Sequence, residues 1–290
     1  MMDSSGWNDI LPLGQLDVYF NRTQRKMKHE QKNPLNEASE HIHRRVDAEM
    51  VETITESRFS ELERIALACR YLSSQGHGNT LAGQISVKLD DGSFWTTEFS
   101  TGFADASVSN LVRVDERLDV VEGKGMANPA TRFHLWVYST RPDVRSIVHT
   151  HPPYASALAM CGERLVVSHM DMMMFHEDVA YLRNWPGVPL ANEEGRIISG
   201  ALGNNNSILL ANHGILTAGD TLARAVYLAV NLESAARLQL FAASAGYKPL
   251  PIDSELAADA KKFVTSAKFV EATFEYWCRQ TAKRYPDTLE

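Results

Sequence analysis

Apolar residues recur three and four positions apart in several parts of the chain, which is the spacing of a helix that buries one face. This pattern predicts helices over residues 59–72, 128–140, 154–161, 193–202, 221–245 and 254–284. Asn128 and Pro129 mark a helix start, because asparagine caps a first turn and proline loses no hydrogen bond there. Gly246 marks the end of the longest predicted helix.

A second pattern, alternation or a short apolar run, predicts strands. Residues 84–88 and 93–97 are predicted strands separated by Asp91-Gly92, a typical hairpin turn. Apolar runs at 146–150 and 207–211 indicate two further strands. Helices that alternate with strands, with a hairpin in the first half, favour an α/β fold in which helices cover a mixed sheet.

Residues 1–55 are polar and show no sustained period. Such a segment buries too little apolar surface to order itself, so we predict a mobile N-terminal extension. Hydrophobic residues make up 44% of the chain, and residues 56–290 are numerous enough for one domain with a substantial core.

Composition and charge exclude several classes of protein. No stretch reaches the roughly 20 apolar residues of a membrane helix, and the first residues lack signal-peptide order, so we expect a cytoplasmic protein. Cys69, Cys161 and Cys278 are widely separated, which indicates neither a disulfide framework nor a thiolate zinc site. The net charge of -7 disfavours nucleic acid or anionic membrane as a partner, although a small anionic substrate could meet local positive charge.

Three histidines stand at the ends of predicted strands. His149 and His151 are two residues apart, so they leave a strand by the same face, as two ligands of one metal require. His213 follows the next apolar run and precedes Gly214, which lets the backbone bend. Three imidazoles with an open position are typical of catalytic zinc and also suit iron, manganese or cobalt. The alternative is that these are polar residues bonded to backbone at strand ends.

Several segments together resemble the class II aldolase/adducin family. They are residues 81–87 (LAGQISV), 141–143 (RPD) leading into 149–151 (HTH), 193–196 (EEGR) and 212–214 (NHG). The resemblance implies a three-layer α/β/α sandwich with a mixed, largely antiparallel sheet, usually a homotetramer. It also implies a divalent ion held by His149, His151 and His213. Zn²⁺ is the first expectation, and Fe²⁺, Mn²⁺ and Co²⁺ are alternatives. In this family the ion polarises a carbonyl and stabilises an enediolate, so that a carbon–carbon bond is made or broken.

Two departures from the family pattern bear on the reaction. In the catalytic aldolases a glutamate stands four residues before the position of His134, where it moves protons and can ligate the metal; here that residue is Ala130. The aldolases also have an asparagine that holds phosphate and substrate, where this chain has Gln84. The segment around Ala130 is more similar to the adducin-like branch. For His134 we expect a supporting or structural role rather than direct ligation.

If aldol chemistry is retained, another group must replace the missing carboxylate. Candidates lie in a segment that combines titratable groups with apolar neighbours: His169, Asp171, His176 and Glu177. Tyr154, just after the histidine strand, could donate a proton. The alternatives are core or interface packing for the methionine run, a solvated face for Glu177 and an ordinary packed role for Tyr154.

Other residues are candidates for substrate binding. The predicted helix start at Asn128 and Thr131 offers backbone N–H groups to a carboxylate or phosphate, with Arg132 and Gln84 as further contacts. The resemblance implies an active site at a subunit interface, to which the C-terminal helix contributes tyrosines such as Tyr276. Glu233 would be a buried base in isolation, but Arg237 four residues later predicts an ion pair.

Three functions are compatible with these residues. The first is a metal-dependent lyase that cleaves or decarboxylates a small hydroxy acid, keto acid or sugar-derived substrate through a metal-stabilised enolate. Decarboxylation suits Ala130 better, because loss of CO₂ removes no substrate proton. The second is an Fe(II)-dependent oxygenase at the same three histidines, and the third is a non-catalytic adducin-like interaction module. Retention of all three histidines favours an enzyme over a module.

Overall fold

The structure is a computed structural model that describes residues 37–53, 57–78, 80–188 and 191–290. The predicted mobility of residues 1–36 lies outside the described residues. Contacts divide the chain into two units, with the boundary after residue 55. No helix in these described ranges combines the length and the apolar character that crossing a membrane requires.

The described part of the first unit is a helix, α1 (Ser39–Thr53), where the sequence predicted no regular element. Most of its side chains are exposed, and Arg45 pairs with Glu37 at 3.0 Å and with Glu49 at 3.5 Å. A helix that is polar on all sides gains from such pairs but shows no apolar stripe. Apolar periodicity therefore could not predict this helix.

Eight strands within the described residues form one sheet. They are β1 (Gln84–Lys88), β2 (Phe94–Thr97), β3 (Leu111–Val114), β4 (Val120–Glu122), β5 (Ser146–Thr150), β6 (Val179–Leu182), β7 (Ser207–Leu210) and β8 (Gly214–Gly219). Their order is β4-β3-β2-β1-β5-β8-β7-β6. Neighbouring strands run antiparallel except β6 and β7, which are parallel.

Helices cover both faces of this sheet. They are α2 (Glu61–Ser74), α3 (Arg132–Thr140), α4 (Pro153–Met160), α5 (Asn192–Leu202), α6 (Leu222–Ser244), α7 (Ser254–Val264) and α8 (Ala267–Arg284). One apolar cluster joins α3 and α5 to the sheet, and a larger cluster joins α2, α4, α6 and α8 to it. The predicted three-layer α/β/α fold with a mixed, largely antiparallel sheet is confirmed.

Strand β5 shows how the sequence specifies two buried faces. Ile147 packs in the cluster of α3 and α5, whereas Val148 packs in the cluster on the other face. A strand buried on both sides needs apolar residues at successive positions, which explains the apolar run before the first histidine. By the same alternation His149 projects to the side of Ile147, where the Phe133 ring meets it edge-on at 4.9 Å.

The predicted helix over 254–284 is wrong in one respect, because the structure has two helices, α7 and α8, with a break at Thr265 and Ser266. The Thr265 hydroxyl donates to the backbone oxygen of Lys261 at 2.7 Å, and Ser266 precedes the first turn of α8. Serine and threonine side chains compete for backbone hydrogen bonds in this way and favour helix ends.

The Arg141 side chain ties the start of β5 to the start of β7. Its guanidinium donates to the backbone oxygens of Gly203 and Asn205, each at 2.9 Å, and to Asn206 Oδ1 at 3.1 Å. Asp143 accepts two further bonds from it, at 2.8 and 2.7 Å. The RPD segment thus orients the strand that carries the histidines.

Candidate metal centre

The three histidines predicted from the sequence converge at one end of the central strands. Each offers a ring nitrogen, and these nitrogens all lie within 4.8 Å of one another. The ring centroids are 4.9 Å apart for His149 and His151, 4.7 Å for His149 and His213, and 4.8 Å for His151 and His213. His149 belongs to β5, His151 follows it, and His213 lies in the turn between β7 and β8.

The turn that presents His213 requires two special residues. Asn212 adopts a left-handed backbone with a φ of 57°, which asparagine tolerates better than most residues. Gly214 lets the turn approach β5, because a Cβ at that position would lie 2.4 Å from the Thr150 backbone oxygen and 2.6 Å from His151 Cδ2. The Asn-His-Gly sequence therefore brings the third imidazole to the other two.

A backbone contact fixes the orientation of His149. Its Nδ1 lies 2.7 Å from the backbone oxygen of Ile215. Because a carbonyl only accepts, Nδ1 carries the proton and donates, which leaves the lone pair on Nε2. That Nε2 lies 3.1 Å from His151 Nε2. Metal-binding histidines are commonly held through their second nitrogen in this way.

Burial keeps the three imidazoles neutral. Desolvation, with the nearby His213 and His151 rings, holds the pKa of His149 well below 6.5. Burial and then His151 lower the pKa of His213 to about 4, and burial lowers the pKa of His151. Neutral imidazole is the form that binds a metal, since the proton and the ion compete for one lone pair. The donor set therefore fits a divalent ion.

The histidines form one wall of a cavity of about 410 Å³. The rest of its described lining is Thr80, Leu81, Ala82, Gln84, Phe99, Asn128, Ala130 and Val188. Ala130 thus stands at the cavity that faces the histidines, where the resemblance places a glutamate in the aldolases. None of the described lining residues carries a carboxylate.

The predicted substrate-binding residues divide between this cavity and other places. Gln84 lies opposite His149 in the β1–β5 pairing, is 3% exposed, and its Oε1 has no partner within the described residues. Asn128 Oδ1 accepts a hydrogen bond from the Ala130 N–H, and the Asn128 Nδ2–H group donates to the Leu81 backbone oxygen, both at 3.0 Å. This helix start therefore offers fewer free donors than predicted, because its own cap uses one of them.

Thr131 and Arg132 do not line the cavity of the histidines. Thr131 is fully buried, and its hydroxyl oxygen has no hydrogen-bond partner in the described part of the chain. Arg132 lines a different cavity. A substrate-binding role for either residue remains a prediction.

His134 lies beside the centre, outside the group of ligand nitrogens. Its ring is fully buried, and Nδ1 lies 2.7 Å from the Ser86 hydroxyl oxygen, which itself lies 2.7 Å from the Tyr138 hydroxyl oxygen. Phe133 contacts the rings of both His134 and His149 edge-on. Burial lowers the pKa of His134 to about 3, so the ring is neutral.

The four predicted acid–base residues lie in or beside a 3-10 segment, Met170–Phe175, outside the cavity of the histidines. The list is His169, Asp171, His176 and Glu177, none of which lines that cavity. The exposed His169 accepts the Asp171 N–H at 3.1 Å, and His176 Nε2 lies 3.4 Å from the Ser254 hydroxyl oxygen. Their catalytic role remains a prediction. Three methionines of this segment, Met172, Met173 and Met174, are buried in the core, whereas Met170 is exposed.

The predicted Glu233–Arg237 ion pair is wrong in its main contact. The Glu233 carboxylate accepts the backbone N–H groups of Tyr154, at 2.9 Å, and of Ala155, at 2.7 Å. Arg237 instead lies over the rings of Tyr154 and Phe241. Helical spacing alone could not show that α4 begins against α6, where its free N–H groups attract a carboxylate.

A second histidine near the centre was missed. His77 is 1% exposed, and its Nδ1 lies 2.8 Å from the hydroxyl oxygen of Thr150, which stands between His149 and His151. His77 lies between two glycines, Gly76 and Gly78, shortly after the helix predicted over 59–72. The flanking glycines were the available signal for a close approach of the backbone.

Comparison with known proteins connects this geometry to a family. Residues 63–240 match the Class II Aldolase and Adducin N-terminal domain. The decarboxylase NovR of Streptomyces niveus is 32% identical over 211 residues, which are 71% of this chain and 78% of that protein. A protein of Streptomyces roseochromogenus subsp. oscitans, named 4-hydroxy-3-prenylphenylpyruvate oxygenase/4-hydroxy-3-prenylbenzoate synthase, is 30% identical over 208 residues, 70% of this chain and 75% of that protein.

A solved structure agrees with the sequence comparison. L-fuculose 1-phosphate aldolase from Glaciozyma antarctica PI12 superimposes with a TM-score of 0.72 at 27% identity, over 81% of this chain and 97% of that one. Aldolases and decarboxylases among the relatives make lyase activity common in this group. The chain belongs to the class II aldolase/adducin family.

Proposed function

We propose that the protein is a metal-dependent lyase that decarboxylates a small keto or hydroxy acid. The observation that carries the proposal is the meeting of three neutral histidines at a cavity where Ala130 stands in place of a catalytic carboxylate. His149, His151 and His213 would hold the ion, with Zn²⁺ as the first candidate. When bound, the ion supplies positive charge beside a substrate oxygen and stabilises negative charge at the adjoining carbon.

The absence of a carboxylate from the described cavity lining favours decarboxylation over aldol cleavage. Aldol cleavage requires a base that removes a proton from a hydroxyl group, and Ala130 can remove none. Loss of CO₂ breaks a carbon–carbon bond without that step, and only the product carbon must then be protonated. Gln84 supports the binding of a hydroxy acid, because its buried Oε1 is an acceptor to which a substrate hydroxyl could donate.

The product carbon must be protonated, and we propose that the proton comes from a residue of a neighbouring subunit. Tyr276 is 52% exposed on α8, and the resemblance implies an oligomer with an active site between subunits. We therefore propose a homotetramer in which Tyr276, or one of the four residues around Met170–Phe175, approaches a neighbour's cavity. Light scattering should give four times the chain mass, and a monomeric mass would contradict this part of the proposal.

An Fe(II)-dependent oxygenase is the second candidate. The specific observation in its favour is the 30% identical relative whose name includes an oxygenase activity. Three imidazoles with an open side are also acceptable to Fe(II). This candidate uses the same histidines and differs from the first in requiring molecular oxygen.

One experiment separates the candidates. The purified protein is loaded with Zn²⁺, Mn²⁺ or Fe²⁺ and given a panel of 2-keto, 3-keto and hydroxy acids, and CO₂ release is measured with and without oxygen. Release without oxygen, lost in His151→Ala, supports the lyase. Release that requires both iron and oxygen supports the oxygenase. A protein that binds no metal and turns over nothing supports the non-catalytic module and contradicts both enzymes.

The role of Ala130 can be tested by two matched substitutions. Ala130→Glu adds a carboxylate to the cavity, whereas Ala130→Gln adds almost the same volume without charge. We expect Glu to lower CO₂ release by at least about tenfold more than Gln, because negative charge beside a developing carbanion opposes it. Faster CO₂ release in Ala130→Glu would contradict the proposed reason for alanine.

A further inference from the structure

The described part of the chain has a second, larger cavity of about 500 Å³, whose lining shares no residue with that of the histidines. Three cationic side chains line it: Lys88 at the end of β1, Arg117 in the loop before β4, and Arg132 at the start of α3. The sequence analysis assigned Arg132 to the substrate of the histidine site. In the structure Arg132 lines this second cavity together with two other cations.

The cations of this cavity lack carboxylate partners. Within the described residues, Lys88, Arg117 and Arg132 form no ion pair, and Glu116 is the single acidic residue in the lining. Other arginines nearby are paired: Arg113 with Asp91, Arg141 with Asp143 and Arg145 with Asp90. Three positive charges around one concavity repel one another, and a ligand with two negative charges relieves that repulsion.

Two aromatic side chains also line the cavity. Trp136 and Tyr138 line it from α3, and Lys88 Nζ lies 5.4 Å from the centre of the Tyr138 ring. Trp136 packs against α5 at Gly195, where an added Cβ would lie 2.4 Å from the Trp136 Cδ1 atom. Aromatic side chains suit a flat apolar group, and Ser139 and Asn192 add neutral polar groups to the lining.

We propose that this cavity binds a small organic dianion with a flat apolar part, either a phosphate monoester or a dicarboxylate. Lys88, Arg117 and Arg132 contact the anionic groups, and Trp136 and Tyr138 contact the apolar part. This site is separate from the histidine centre. It provides the local positive charge for an anion in a chain whose net charge is -7.

Calorimetric titration of the intact protein with phenyl phosphate and with phthalate tests the proposal. The double variant Lys88→Gln/Arg132→Gln should bind at least about tenfold more weakly, because it loses two charge-assisted contacts. The control Lys262→Gln/Arg279→Gln removes the same charge from the surface of α7 and α8 and should bind as the original protein does. Arg117→Gln, a change at an exposed residue, should weaken binding several-fold even if the double variant folds poorly.

Two further readouts locate the bound anion. The His151→Ala protein should retain full affinity, since the exposed His151 lies outside this cavity. The ligand-induced change in tryptophan fluorescence should disappear in Trp136→Phe. Tighter binding of phenyl phosphate assigns a phosphate ligand, and tighter binding of phthalate assigns a dicarboxylate. Equal affinity of the cavity and control variants, loss of binding in His151→Ala, or no saturable binding by the original protein would each overturn the proposal.

Discussion

The Glu233 carboxylate anchors the segment that follows His151, and its removal gives a prediction with a magnitude. The side chain is 6% exposed and accepts two backbone N–H groups at the start of α4. Glu233→Ala leaves both donors buried without a partner. Helix α4 begins two residues after His151, so we expect the change to affect both stability and the histidine centre.

Each hydrogen bond to a charged acceptor contributes about 1.5–3 kcal/mol, which gives roughly 3–6 kcal/mol for the two bonds. The carboxylate also bears a desolvation cost, since burial raises the pKa of Glu233 despite its two donors. Removing the side chain recovers that cost, so we expect a net loss of roughly 2–4 kcal/mol in the free energy of unfolding. Glu233→Gln should lose about half as much, because its amide oxygen still accepts one bond.

Urea unfolding followed by circular dichroism measures both losses, and titration with Zn²⁺ measures the effect on the histidines. The control is Glu163→Gln, a change at an exposed carboxylate. We expect the order of stability to be Glu163→Gln, then Glu233→Gln, then Glu233→Ala. A loss below about 1 kcal/mol in Glu233→Ala would refute the reasoning, because it would mean that water or backbone movement satisfies the two N–H groups.

Two further predictions concern the surroundings of the centre. Gly214→Ala should weaken Zn²⁺ binding at least about tenfold, because its methyl carbon would lie 2.6 Å from His151 Cδ2 and displace that ring. The control Gly200→Ala, where an added Cβ meets nothing within 4 Å, should bind Zn²⁺ as tightly as the original protein. Burial lowers the pKa of His77 and of His134 from 6.5 to about 3, so between these values the unfolded chain binds protons that the folded protein does not. Stability should therefore fall by roughly 1.6 kcal/mol per histidine between pH 6.5 and pH 5, because the unfolded imidazole is already half protonated at pH 6.5. His134→Gln should show a shallower fall in urea unfolding, and equal slopes would contradict this assignment.

Much of the fold follows from local signals that agree with one another. The helix predicted over 59–72 is α2, and Ser60 and Glu63 form a capping box at its start. Strand β5 was predictable because both its faces are buried. Strand β8 was not recognised: the predicted apolar run stops at residue 211, and only Ala211, Asn212 and His213 separate β7 from β8. Tight turns of this kind depend on a left-handed residue, which apolar patterning does not reveal.

The candidate centre was predictable only where alternation along a strand fixes which way a side chain points. His149 and His151 met that condition, whereas His213 also needed the resemblance to bring it to the same place. The position of Arg132 depends on how α3 rotates against the sheet, which sequence spacing does not determine. Residues that approach from distant elements, such as Glu233 and His77, were assigned wrongly or missed for the same reason.

The measurement that tests the central claim most directly is the metal content of the untagged protein, purified anaerobically and analysed by mass spectrometry. His151→Ala is the informative variant, because His151 is exposed whereas His149 is 2% exposed and its loss also disturbs packing. His169→Ala, which removes an exposed histidine outside the cavity, is the control. We predict close to one equivalent of zinc in the original and control proteins and none in a folded His151→Ala protein. A full equivalent of metal in His151→Ala, or no metal in any of the three, would contradict the assignment of a three-histidine metal centre.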